Sequence, residues 1–220
     1  MITATGLRWI LTALFALPTL YALLLAATPG RTIANRVGHA LHAAMGGLMV
    51  AMAWPWGMSL PADPQIVVFT AGALWFAIAA LARSSETDSR TAGLVAALPH
   101  IVMMAAMAWM VAVMDGSAMA SGAHGSAADM PGMDMSGPGA AGAMTLSRAG
   151  DQWTAGLLAV ALAGLGLLWL SQAFDRGRIT TPTVRGPASL TAALTGSEAA
   201  GPACHAAMAI GMAVMFVLLL

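Results

Sequence analysis

The stretch His42-Ala-Ala-Met45-Gly-Gly-Leu-Met49-Val-Ala-Met52 returns as His100-Ile-Val-Met103-Met104-Ala-Ala-Met107-Ala-Trp-Met110, and again as His205-Ala-Ala-Met208-Ala-Ile-Gly-Met212-Ala-Val-Met215. All three fit H-x2-M-x3-M-x2-M without a gap, and self-similarity of this kind is the signature of a repeated structural unit. At about 100° per residue, offsets of 3, 7 and 10 from the histidine fall near 300°, 340° and 280°, so the four side chains share a helical stripe about 80° wide. The stripe climbs about 15 Å, half of a bilayer's hydrocarbon core. Met104 departs from the strict pattern, and Pro99 predicts a kink or a loosened turn just before His100.

Outward from these stretches, each copy lies inside a longer apolar run. Six runs are present, over approximately residues 7–27, 37–56, 65–82, 93–114, 153–173 and 203–220, each near the roughly 20 residues that a spanning helix needs. The third is short, and the sixth reaches Leu220. Of the 220 residues 59% are hydrophobic and 8% charged, whereas soluble domains carry about 25% charged residues. The expected fold class is therefore an all-α membrane protein with six transmembrane helices in one membrane domain. Residues 1–114 hold helices one to four, 115–152 a Gly/Met-rich disordered outer loop, and 153–220 helices five and six. Nine Arg balance nine Asp plus Glu, Lys is absent, and no basic surface is left to hold nucleic acid. With Cys204 as the single cysteine, an internal disulfide and a CxxC-type site are excluded.

Arginine placement sets the expected orientation, because cytoplasmic loops retain positive charge. Arg31 and Arg36 fall in the first connection, Arg83 and Arg90 in the third, and Arg176, Arg178 and Arg185 in the fifth, against Arg148 alone in the second and fourth. Both termini are predicted outside a bacterial plasma membrane. Arg8, the apolar run after it and the small residues Ala26 and Ala27 also match a signal peptide, but cleavage there would leave the remaining helices unpaired. Each His–Met helix follows an arginine-bearing loop, so all three run the same way, with the histidine at the cytoplasmic end. The units are then three parallel-repeated helix pairs. Small residues between the methionines, such as Ala43, Gly46, Ala106 and Gly211, predict close approach of helices two, four and six in an inner bundle. The Leu-rich faces of the odd helices, with Leu14, Leu17, Leu20 and Leu24, form an outer ring. Stacked rings follow: Met45 with Met103 and Met208, Met49 with Met107 and Met212, Met52 with Met110 and Met215, above a ring of His42, His100 and His205.

Thioether sulfur is a soft, neutral ligand that selects Cu(I) over hard cations. Imidazole at the inner end can receive the same ion, and stacked weak sites are what conduction requires. His39, one turn below His42, and Cys204, beside His205, are accessory candidates. In the outer loop His124, Met130, Met133 and Met135 have nothing to pack against. A soft-metal collector is the expectation for them, since an oxidising exterior favours Met over Cys. The expected function is Cu(I) binding, handling or transport, with import as the favoured direction. Its rival is a non-catalytic structural or assembly subunit, its Met stripes facing a membrane-protein partner or a second copy. Haem ligation by paired histidines would leave the threefold repeat unexplained. No paired acid and base, nucleophile or phosphate-binding loop is present, which argues against an enzyme. The Trp residues, Trp54, Trp56, Trp75, Trp109 and Trp153 among them, read as interface anchors or bundle packing.

The second helix with its exit, VGHALHAAMGGLMVAMAWPW over residues 37–56, together with the Met-rich fourth and sixth helices, resembles the actinobacterial membrane proteins of the DUF5134 family. The resemblance covers the hydrophobic spans and not the loop, and it implies a small multi-helix membrane protein without implying a mechanism. The Ala-rich, Lys-free composition agrees with a GC-rich bacterial genome. The Met rings are also similar in architecture to those of eukaryotic copper transporters. Those proteins assemble three chains, so the likeness is analogy only.

Overall fold

Helix boundaries follow from local chemistry. The computed structural model describes residues 5–83, 90–124, 149–179 and 198–220. Among these residues the chain forms α1 (Thr5–Ala27), α2 (Ile33–Ala53), a 3-10 turn (Pro55–Ser59), α3 (Ala62–Arg83), α4 (Arg90–His124), α5 (Ala149–Ile179) and α6 (Ala200–Val217), with no strand. Pro29 and Gly30 end α1, and Gly30 takes φ 84°, a left-handed conformation that suits glycine. Thr32 then caps α2, its hydroxyl accepting from the Asn35 N–H at 3.4 Å. The Arg36 guanidinium donates to the Ala26 carbonyl at 2.9 Å, so the first loop's arginine satisfies an orphan acceptor at the end of α1. At the other end of α2, Trp54 precedes Pro55 and is extended, as the proline ring requires of its predecessor. The chain then doubles back so tightly that a side chain at Gly57 would overlap the backbone of Ala51.

Five of the helices are long and apolar enough to cross a membrane, and the chain is a multi-pass membrane protein in contact with the lipid bilayer. The exception is α2, where a sixth span was expected. It has 21 residues, but Asn35, Arg36, His39, His42 and three glycines reduce its hydropathy. Of its polar side chains His42 is buried and His39 half-buried, whereas Asn35 and Arg36, in its first turn, are exposed. Two boundaries also shift. Helix α4 continues past residue 114 to His124, without a break at Pro99, and α5 begins at Ala149. Apolar hydropathy ends before the helices do, since Ala-rich segments remain good helix formers in polar surroundings. What is left of the expected loop, residues 125–148, lies outside the described residues.

The most extensive packing is of α1 on α2, α3 on α4 and α5 on α6, and α1 also meets α6. Named contacts give the directions. Along α1 and α2, Thr12 meets Trp54, Thr19 faces Gly46 and Ala26 meets Arg36, so these helices are antiparallel. Phe76 against His100 and Trp169 against His205, with Gly72 facing Met104 and Gly166 facing Ile210, give the same sense to the other two pairs. In the spanning windows, 44% of α4 and 50% of α6 is buried, against 28%, 22% and 22% for α1, α3 and α5. The exposed apolar side chains sit mainly on α1, α3 and α5, among them Leu17, Leu20, Leu74, Ile78, Leu157 and Leu167.

The small residues also meet helices other than those expected. A Cβ at Gly46 would overlap the Thr19 hydroxyl, one at Gly211 would come within 2.7 Å of the Phe15 ring, and one at Gly166 would press on Ile210 at 2.6 Å. Close approach therefore occurs between α1 and its neighbours α2 and α6, and between α5 and α6. The Met208 methyl of α6 also lies 3.2 Å from the Cβ position of Gly46, so α6 meets α2 there through a side chain.

Candidate metal centre

Three imidazoles converge where α2, α4 and α6 come level. Ring centroids are 5.0 Å apart for His42 and His100, 5.0 Å for His42 and His205, and 4.9 Å for His100 and His205. One ligating nitrogen of each lies within 4.8 Å of the others. An ion with metal–nitrogen bonds of about 2.0–2.1 Å places its nitrogens about 3.4 Å apart, so side-chain rotations on the order of 1 Å close the site.

The tautomer of His42 is fixed by its own helix. Its Nδ1 lies 2.7 Å from the Gly38 carbonyl oxygen one turn earlier, and because a carbonyl can only accept, Nδ1 carries the proton. The lone pair is then on Nε2, which is buried and has no hydrogen-bond partner among the described residues. His42 is 5% exposed. A ligating histidine commonly anchors its other nitrogen to a carbonyl in this way, which orients the ring and raises its basicity. His205 bonds the backbone of Gly201 at the same spacing. Three neutral imidazoles suit copper, zinc, nickel or iron.

Aromatic walls hold the cluster. The His100 ring is stacked between Phe76, at 5.3 Å and 29°, and Trp169, at 5.6 Å and 23°. Trp169 also reaches His205 at 5.2 Å, and Phe76 meets His42 edge-on at 5.5 Å. Both residues escape a search for repeated motifs because α3 and α5 carry no shared pattern. The available signal is the antiparallel pairing, which brings these positions level with the histidines.

Beyond the histidines lie the methionines. Met45, Met103 and Met208 come next along their helices, followed by Met49, Met107 and Met212, and these six have exposures between 0% and 2%. Met110 is also buried, while Met52 and Met215 are half-buried. All nine belong to, or pack against, one apolar cluster. Met104 faces α3, where its sulfur lies against Gly72. The accessory residues His39 and Cys204 border the triad. Half-buried His39 lines a cavity of about 490 Å³ that touches all three histidines, and shares a second, of about 40 Å³, with Tyr21 and the half-buried free thiol Cys204. His124 ends α4, and its side chain, with Met130, Met133 and Met135, lies outside the described residues.

Residues 34–219 match the model of a domain of unknown function, DUF5134, and the chain belongs to that family. Among curated proteins it is similar to the uncharacterized proteins Rv0970 and MT0998 of Mycobacterium tuberculosis and Mb0995 of Mycobacterium bovis. Each is 38% identical over 115 residues, which are 52% of this chain and 53% of the relative. The chain thus spans about half the length of the curated relatives it matches. No solved structure matches it.

Proposed function

We propose that this DUF5134 member is a non-enzymatic metal-handling protein of the bacterial plasma membrane, which binds Cu(I) at His42, His100 and His205 and in the thioether rings beyond them. The observation that carries the reading is the buried Nε2 of His42, without a hydrogen-bond partner among the described residues, on a histidine grouped with two others from different helices. A buried polar atom without a partner is costly unless something fills the place. Copper(I) is favoured over other imidazole-binding ions because the same helices bury methionine after methionine in the following turns. In this reading α2, α4 and α6 are the inner bundle of three parallel-repeated helix pairs, supported by the greater burial of α4 and α6. The arginine loops face the cytoplasm and both termini lie outside. The outer segment with His124, Met130, Met133 and Met135 gathers the ion, and import is the favoured direction.

The rival role as a structural or assembly subunit required Met stripes turned toward a partner or a second copy, whereas these side chains are buried within the chain. Titration of purified protein with Cu(I) against a competing chromophoric chelator tests the proposal. Wild type is expected to retain Cu(I) that His42→Leu and His100→Leu release. Equal retention by all three would overturn the three-histidine site.

A further inference from the structure

The cavity beside the histidines is far larger than an ion needs. At about 490 Å³ it falls in the range of small-molecule sites, about 300–1,000 Å³, whereas a water molecule occupies about 30 Å³ of liquid. Its walls come from the N-terminal turns of α2 and α4 and the C-terminal half of α3, with Asn35 and His39 as polar groups and Trp75 and Phe76 as flat apolar ones. No methionine lines it. On the far side of the triad, Met45, Met103 and Met208 are 0–2% exposed. Three histidines leave a tetrahedral ion one open position. With methionines packed on one side and Phe76 and Trp169 stacked on His100, the way in is through the cavity. His42, whose Nε2 has no partner among the described residues, forms part of its wall.

We propose that this cavity is a second binding site, taking a thiol of low molecular mass whose sulfur completes the coordination of a metal ion held by His42, His100 and His205. The inference rests on the three-histidine reading and adds the class of molecule that trades metal with it. Thiolate sulfur is the soft donor matched to Cu(I). Trp75 and Phe76 cover the carbon skeleton of the thiol, and Asn35 and His39 offer hydrogen bonds to its polar groups. As the metal–sulfur bond forms, the S–H proton goes to solvent and any water in the fourth position leaves. No electron is transferred, and the reverse step carries the ion out as a thiolate complex. The ion is thereby exchanged on the side of the arginine-bearing loops without being released free.

Full-length protein in detergent, loaded anaerobically with Co(II) and titrated with 2-mercaptoethanol, tests this, because a sulfur-to-cobalt charge-transfer band appears only when thiolate binds the metal. The expected result is a band that saturates at one thiol per cobalt. Gly93→Trp on α4 and Ala34→Phe on α2 fill the cavity from different walls, so failure of one to fold leaves the other to decide. Each is expected to weaken the thiol response at least tenfold while cobalt stoichiometry stays unchanged. Cobalt uptake with no charge-transfer band, or loss of cobalt to the thiol without one, would overturn the cavity site alone. No cobalt uptake at all would overturn the three-histidine reading and this inference with it.

Discussion

Replacing Met49, Met107 and Met212 together by leucine separates ligand from packing. All three are 0% exposed and belong to one apolar cluster, so the substitution must preserve volume. Met→Leu conserves size and apolarity and costs under about 1.5 kcal/mol per site, so three sites cost at most about 4.5 kcal/mol if they add. The alanine equivalents would cost about 2–5 kcal/mol each, and their sum of about 6–15 kcal/mol matches the whole stability of a typical domain, about 5–15 kcal/mol. Leucine is therefore the informative choice, and because the three side chains share one cluster their effects depart from the simple sum in either direction. The assay is Cu(I) binding by competition, with helical circular dichroism as the control for folding. If the sulfurs ligate, the triple variant keeps its helicity but binds fewer Cu(I) ions, retaining those held by the histidines. A folded triple variant that matches wild type in stoichiometry and affinity would refute ligation by this layer.

Three further outcomes follow. Gly46→Ala and Gly211→Ala are expected to lose about 1–3 kcal/mol each by forcing Thr19 or Phe15 aside. Gly47→Ala, with nothing within 4 Å, should be neutral or gain up to about 1 kcal/mol from helix propensity; thermal unfolding in detergent distinguishes them, and equal effects would contradict the helix contacts described. Zn(II) or Co(II) at 100 times its Kd should stabilise the fold by about 2.7 kcal/mol, an effect abolished by chelator and absent in His42→Ala; a metal-dependent shift that survives in that variant would place the ion elsewhere. Deleting residues 125–148, between the described parts of α4 and α5, should lower copper accumulation in cells while leaving Cu(I) binding by the purified protein intact, and unaltered accumulation would remove the collector role.

The sequence reading succeeded where periodicity is enforced by the environment. Long apolar runs are obligatory for helices in lipid, so five spans were legible from hydropathy alone. The grouping of His42, His100 and His205 was legible because one motif repeated in register at three places. Phe76 and Trp169 were not, because an aromatic wall requires only a flat ring at the right height. Helix α2 was counted as a span from its apolar run over 37–56, although the polar residues of its first turns leave it less apolar than the five others. The glycines have neighbours on α1 that the sequence did not indicate. A small residue reports that something comes close, but only the lengths of the opposing side chains decide what. Thr19 and Phe15 press against Gly46 of α2 and Gly211 of α6, and the Met208 methyl also reaches Gly46.

The methionine layers have an electrical consequence. Thioethers carry no exchangeable proton and accept hydrogen bonds only weakly, and packing at 0–2% exposure leaves no room for a file of water around them. Beyond His42 on α2 and His205 on α6, and between His100 and Asp115 on α4, no side chain that takes up a proton is present. The apolar layers therefore separate the histidines from the nearest ionisable group at the far end of α4.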